Sequence, residues 1–155
     1  MKVSDILRVK GQSGGTLFTI NPMEPLVLAV NIMAEKDMGS LLVMEHGRLV
    51  GLLTFREVIQ ALSRNQGALG DVTVRGAMDA QPLTCTPETL IDEVRRMMLG
   101  SHARYMPVLS DGQLDGVISF YDVAKSVVDS QNFENQMLKA YIKDWPSGTP
   151  DSNGK

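Results

Sequence analysis

Apolar residues recur along the chain in two alternating rhythms. Over residues 25–36, Val27, Val30 and Met33 fall on one face at helical spacing, with Leu26 and Ala29 beside them. Over residues 89–99, Leu90, Val94, Met97 and Met98 do the same. The run Thr86-Pro87-Glu88-Thr89 carries the start signals of that second helix. After each helix comes a short apolar run that reads as a strand, residues 40–44 and 106–109. A polar turn follows, Glu45-His46-Gly47-Arg48 or Ser110-Asp111-Gly112-Gln113, whose glycine can take positive φ. Second strands are predicted at 49–54 and 114–119, and closing helices begin near Phe55 and Phe120. Short strands at 17–19 and 83–85 open the two series. The predicted order is strand–helix–strand–strand–helix, written twice.

The two series are copies of one another. GLLTFREV begins at Gly51 and GVISFYDV at Gly116, an offset of 65 residues. Without a gap, the same offset pairs Pro22 with Pro87, Met33 with Met98 and Val43 with Val108. It also pairs Gly47 with Gly112, Leu49 with Leu114, Phe55 with Phe120 and Val58 with Val123. So many matches in one register mark an internal duplication. A unit of roughly 50 to 60 residues is small for an independent core. Two such units packed face to face would bury both sheets, so the duplication predicts a pseudo-twofold pair. The expected class is α/β (α+β), each repeat with a small mixed sheet and two helices. The predicted boundaries are a first repeat at 1–62, a linker at 63–73 and a second repeat at 74–128. A C-terminal helix at 129–145 and a disordered tail at 146–155 complete the reading.

Composition narrows the function classes. The net charge is −3, which gives no electrostatic case for non-specific binding to nucleic acid or an anionic membrane. No run of about 18 apolar residues exists to span a bilayer, and MKVSDILRVKGQSGG has no apolar core of a secretory signal. With Cys85 the single cysteine, no internal disulfide can form, and a cytoplasmic location is expected. His46 and His102 have no partner at metal-ligand spacing, so no metal site is expected. Hydrolase, kinase and dinucleotide fingerprints are absent, so catalysis is not expected.

The repeated sentence itself carries chemistry. Two aliphatics end in a hydroxyl residue, Thr54 or Ser119, and an acid follows three positions on, Glu57 or Asp122. At a strand-to-helix junction this is a capping box, in which hydroxyl and acid satisfy the first helical N–H groups. A carboxylate on that first turn can also accept hydrogen bonds from the 2′- and 3′-hydroxyls of a ribose. Both readings stand, and the two roles can coexist.

These stretches, with Tyr105-Met106-Pro107-Val108 and the segment 74–78, resemble the CBS (cystathionine-β-synthase-type) domain, which occurs in tandem pairs. The resemblance covers roughly residues 2–128 and is closest to small bacterial stand-alone pairs. It implies a non-catalytic regulatory module that binds adenosine-containing ligands (AMP, ADP, ATP, NAD-type or S-adenosylmethionine) in the cleft between repeats. It also implies a disc-like homodimer acting on an unidentified regulated protein, with no obligatory cofactor. Asp122 matches the family's ribose-binding acid, so Ser119 and Asp122 rank first. Their walls are expected from the first copy, around 15–20 (Thr19 and Ile20 included) and at Met38, Gly39 and Ser40. In the mirror site, Thr54 and the longer Glu57 would be walled by residues 80–83, with Leu83, and by Arg104 and Tyr105. Tyr121 would stack on a base or plug the cleft. Arg104, His102 and Arg56 are the phosphate candidates. Lys10, Gly11, Ser13, Gly14 and Gly15 read as a flexible loop and a candidate lid. Val123, Val127, Phe133, Met137, Leu138, Tyr141 and Ile142 form an apolar stripe with a polar break at 129–132, which favours dimerisation. The rival reading is a ligand-free interaction scaffold.

Overall fold

The computed structural model describes residues 1–12 and 17–143. The chain divides into two units, Met1–Val123 and Ala124–Lys155. In the first unit, helix α1 (Val3–Gln12) precedes strand β1 (Thr19–Ile20), helix α2 (Leu26–Lys36), and strands β2 (Ser40–Glu45) and β3 (Arg48–Thr54). Helix α3 (Phe55–Arg64) closes the first repeat. Short helix α4 (Val74–Ala77) leads into α5 (Ile91–Ser101), strands β4 (Tyr105–Ser110) and β5 (Gln113–Ser119), and helix α6 (Phe120–Lys143).

The first sheet has order β1-β2-β3, with β1 parallel to β2 and β2 antiparallel to β3. The second is the antiparallel pair β4-β5, with its opening strand reduced to one parallel bridge between Cys85 and Val108. That bridge is the counterpart, 65 residues on, of the Ile20–Val43 pairing in the first sheet. The hairpins match as well. His46 and Gly47 have φ of 53° and 76°, and Asp111 and Gly112 have 52° and 78°, so both loops are type I′ turns. Register shifts fall between Val43 and Met44 and between Val108 and Leu109, again at twin positions.

Two hydrophobic cores result, and they are built from twinned residues. Ile20, Leu26, Ala29, Met33, Leu41, Val43 and Leu53 are buried in the first. Their partners at the 65-residue offset, Cys85, Ile91, Val94, Met98, Met106, Val108 and Ile118, are buried in the second. The leader helices, however, are exchanged. Val74 and Ala77 of α4 complete the first core, while Val3 and Ile6 of α1 complete the second. Backbone bonds fix each leader where it lies. Val3 N–H donates to the Thr89 carbonyl at 2.9 Å, and Val74 N–H donates to the Glu24 carbonyl at 2.9 Å. Glycines in the repeated sentence make room for this. A β-carbon at Gly51 would meet Met78 Cγ at 2.9 Å, and one at Gly116 would meet Leu7 Cδ2 at 2.9 Å.

Three expectations change. Lys10 and Gly11 lie in α1 rather than in a loop, while Ser13, Gly14 and Gly15 fall outside the described residues. Residues 86–89 form a turn, held by Thr86 N–H donating to Thr89 Oγ1 at 3.0 Å, so α5 begins two residues later than the sequence suggests. The polar stretch at 129–132 does not interrupt α6, which runs as one helix to Lys143. In the second unit, Val128, Met137 and Leu138 are exposed. The side chains of Phe133, Tyr141 and Ile142, and the tail from residue 146, lie outside what is described.

Candidate functional site

Both repeats end their last strand in a hydroxyl residue that caps the next helix. Thr54 Oγ1 accepts from Arg56 N–H at 3.2 Å. Glu57 reaches back so that its Oε1 accepts from Thr54 N–H at 2.8 Å and from Thr54 Oγ1 at 2.5 Å. The result is a capping box in which Glu57 is 9 % exposed. In the second repeat, Asp122 N–H donates to Ser119 Oγ at 3.0 Å, and Asp122 Oδ2 accepts from Ser119 N–H at 2.9 Å. The structural half of the motif is therefore made in both copies.

The surroundings of the two acids differ. Thr54 and Glu57 open onto a cleft of about 790 Å³ between the repeats. Of the residues singled out from the sequence, Arg56, Leu83, His102, Arg104 and Tyr105 line the same cleft. Exposed apolar surface on Phe55, Ile59 and Leu83 contributes one part of the lining. Among the described residues, Arg56, His102 and Arg104 make no ion pair, so three groups able to carry positive charge line a cavity with two carboxylates, buried Glu57 and exposed Asp79. Arg104, just before β4, is placed by its own backbone, whose carbonyl accepts from Phe120 N–H at the start of α6 at 2.7 Å. His102 holds the left-handed cap of α5, with φ of 58°.

Asp122 has a different neighbour. Lys10 Nζ donates to Asp122 Oδ2 at 2.8 Å and to the Val117 carbonyl at 2.9 Å. The pair is half-buried, with the carboxylate 17 % exposed. The sequence shows Lys10 in a glycine-rich stretch but not its contact with Asp122, which depends on α1 crossing to the second repeat.

The expected walls of the Asp122 site differ in burial. Ile20 is buried in the first core, Met38 packs against that core, and Thr19 is exposed. Ser40 is 7 % exposed and pairs with Thr54 across β2 and β3. Gly39 lies against the phenol end of Tyr105, where a β-carbon would collide with the hydroxyl oxygen. Tyr121 is 71 % exposed and does not line the cleft. Asp79, Gln81 and Pro82 line the open cleft and were partly anticipated by the expectation of walls at 80–83. Gln60 was missed, although its place one turn after Arg56 on α3 is the signal that could have found it. Among the described residues there is no cluster of metal-ligating side chains, and no helix is long and apolar enough to cross a membrane.

Comparison with known proteins accounts for the twinned architecture. The CBS domain family matches residues 15–64 and 69–129. A signal-transduction protein with CBS domains from Burkholderia ambifaria superposes with a TM-score of 0.78 at 31 % identity, covering 84 % of this chain and 96 % of that one. The mitochondrial CBS domain-containing protein CBSX3 of Arabidopsis thaliana is 29 % identical over 150 residues, spanning 91 % of this chain and 71 % of the relative. CBSX2 of Arabidopsis thaliana, solved with AMP, shares the fold at 21 % identity and a TM-score of 0.68, covering 84 % of this chain and 98 % of that one. A further CBS pair of the same fold, at 22 % identity and a TM-score of 0.71, was solved with 5′-methylthioadenosine and S-adenosyl-L-methionine. This chain covers 84 % of its own length and 98 % of that pair in the match. With both repeats matched in the order and spacing of the duplication, the chain belongs to the CBS domain family, as a tandem pair.

Proposed function

We propose that this protein is a non-catalytic regulatory module that binds an adenosine-containing nucleotide in the cleft lined by Thr54 and Glu57. One observation carries the reading: a single cleft of about 790 Å³ gathers a helix-start carboxylate, three unpaired cationic or ionisable side chains and an apolar wall. Such a set suits the three parts of a nucleotide. Glu57 would accept from the ribose hydroxyls, because only its Oε1 is engaged by Thr54. Arg104, Arg56 and His102 would meet phosphate, with Arg104 able to do so through two N–H groups. Leu83 and Tyr105 would flank the base. The AMP complex of CBSX2 and the S-adenosylmethionine complex of the further pair support the adenosine class. The sequence ranks Asp122 above Glu57, but the accessible cleft and its cations favour Glu57.

Thermal shift with AMP, ADP, ATP, NAD, NADH and S-adenosylmethionine, with GTP as control, tests the reading. A ligand at 100 times its Kd should stabilise the fold by about 2.7 kcal/mol. Glu57→Gln keeps a capping-box residue, so the fold should hold while affinity for the responding ligand falls at least about tenfold. Arg104→Ala should weaken AMP and leave adenosine unchanged. Silence across the panel would move the assignment to a ligand-free scaffold, a reading that the Lys10–Asp122 ion pair favours for the second half-site. Exposed Val128, Met137 and Leu138 on α6 support a homodimer in either case, and sedimentation analysis of Met137→Glu should show it weakened.

A further inference from the structure

The two leader helices occupy equivalent places but differ in length, and the difference lands on Asp122. Val3 corresponds to Val74, Ile6 to Ala77 and Leu7 to Met78, an offset of 71 rather than 65. Six more residues therefore separate leader from repeat in the first copy. In the second copy the short leader α4 ends at Ala77, and Asp79 exchanges backbone bonds with Leu52, N–H to carbonyl at 2.9 Å in each direction. In the first copy α1 continues to Gln12. Val117, the twin of Leu52, then has its carbonyl bonded by the Lys10 ammonium instead. From there the same ammonium reaches Asp122 Oδ2, the carboxylate equivalent to Glu57. The leader is firmly held at its other end, where Val3 and Ser4 donate to Thr89 and Pro87 and Lys2 pairs with Glu88 at 2.8 Å.

We propose that Lys10 is a built-in occupant of the second nucleotide half-site, so that the pair binds one nucleotide at Thr54/Glu57 until the last turn of α1 releases Asp122. This rests on the nucleotide reading given above. The Lys10 ammonium neutralises and crowds the Asp122 carboxylate, a load that Glu57 does not carry, so a ribose diol must compete with it for that group. Release costs the Lys10–Asp122 ion pair and the Val117 bond but leaves the core contacts of Val3 and Ile6 in place, because Lys10 lies two helical turns beyond Val3. The half-sites are then unequal by construction, with one open and one latched.

Isothermal titration with AMP on the full chain, together with amide hydrogen exchange without nucleotide, tests this. The wild-type chain should bind one AMP. Lys10→Met, which keeps the aliphatic stem, should bind two. Lys10→Arg should return to one, and Lys10→Met with Asp122→Asn should also return to one. Amide exchange in the last turn of α1 should quicken at least about tenfold in Lys10→Met while that of Val3–Leu7 holds. Two AMP bound to the wild-type chain, or one bound to Lys10→Met, overturns the occupancy proposal with the nucleotide reading intact. If no variant binds AMP while exchange quickens as expected, the nucleotide reading fails and takes the gating with it, but the latch contact stands. Unchanged exchange in Lys10→Met overturns the latch itself.

Discussion

Cys85 sits under the Pro107–Val108 edge of the second core, 6 % exposed, with Sγ 3.9 Å from the Pro107 carbonyl. Burial pushes its thiol up to about 11 from 9.0, because the thiolate would lose its hydration. The protonated form is thus the one that the fold accepts. Stability from this group is fully present below about 9 and is lost as pH rises through about 11. At pH 8 the folded chain should leave Ellman's reagent almost uncoloured, and urea should release the full thiol signal. Rapid colour without denaturant would contradict the burial. Gly39 makes a second point at this scale. Gly39→Ala would push a methyl into the Tyr105 ring, which lines the open cleft, so the expected effect is a lower Tm together with weaker nucleotide binding. A nucleotide titration of this variant at a temperature where it remains folded separates the two effects.

The capping boxes show why the acid in the repeated sentence has more than one use. Thr54→Ala removes a bond to Arg56 N–H and the Thr54–Glu57 pair, and should cost about 0.5–2 kcal/mol by urea unfolding. Helices α2, α3 and α5 and both hairpins were legible because a 65-residue register repeats the buried positions, from Ile20 with Cys85 to Leu53 with Ile118, whereas the opening strands were placed too early, at 17–19 against Thr19–Ile20 and at 83–85 against a single bridge at Cys85. The leaders were not legible in the same way. Six extra residues break that register between Leu7 and Ile20, so an ungapped comparison aligns Val74 with Val9 and hides its true twin, Val3. Nothing in local propensity tells a leader which core it will enter. The contact of Lys10 with Asp122 is hidden for the same reason, since it spans 112 residues of sequence. That Thr54, Glu57, Leu83 and Arg104 would line one cleft was legible because the pseudo-twofold brings the start of one copy to the end of the other, and His102 was singled out from the family resemblance.

At the scale of the whole molecule, exchange of the leaders ties the two cores together, so they are expected to unfold as one. Neither half of the chain contains a complete set of core residues, because Val74 and Ala77 belong to the first core and Val3 and Ile6 to the second. Fragments 1–66 and 67–143 should each show little cooperative unfolding by circular dichroism, while an equimolar mixture should recover it. Two independent transitions would show that the exchange is dispensable. The same crossing fixes an order of events during synthesis. As the chain leaves the ribosome, the first repeat lacks its lid of Val74 and Ala77 even after Arg64 has emerged, and α1 waits with Val3, Ile6 and Leu7 uncovered until the strand carrying Ile118 is made. Helix α1 is thus open to holdase chaperones until Ile118 has emerged. A stop codon anywhere before Val123 would release a chain with sticky apolar faces rather than a smaller working domain.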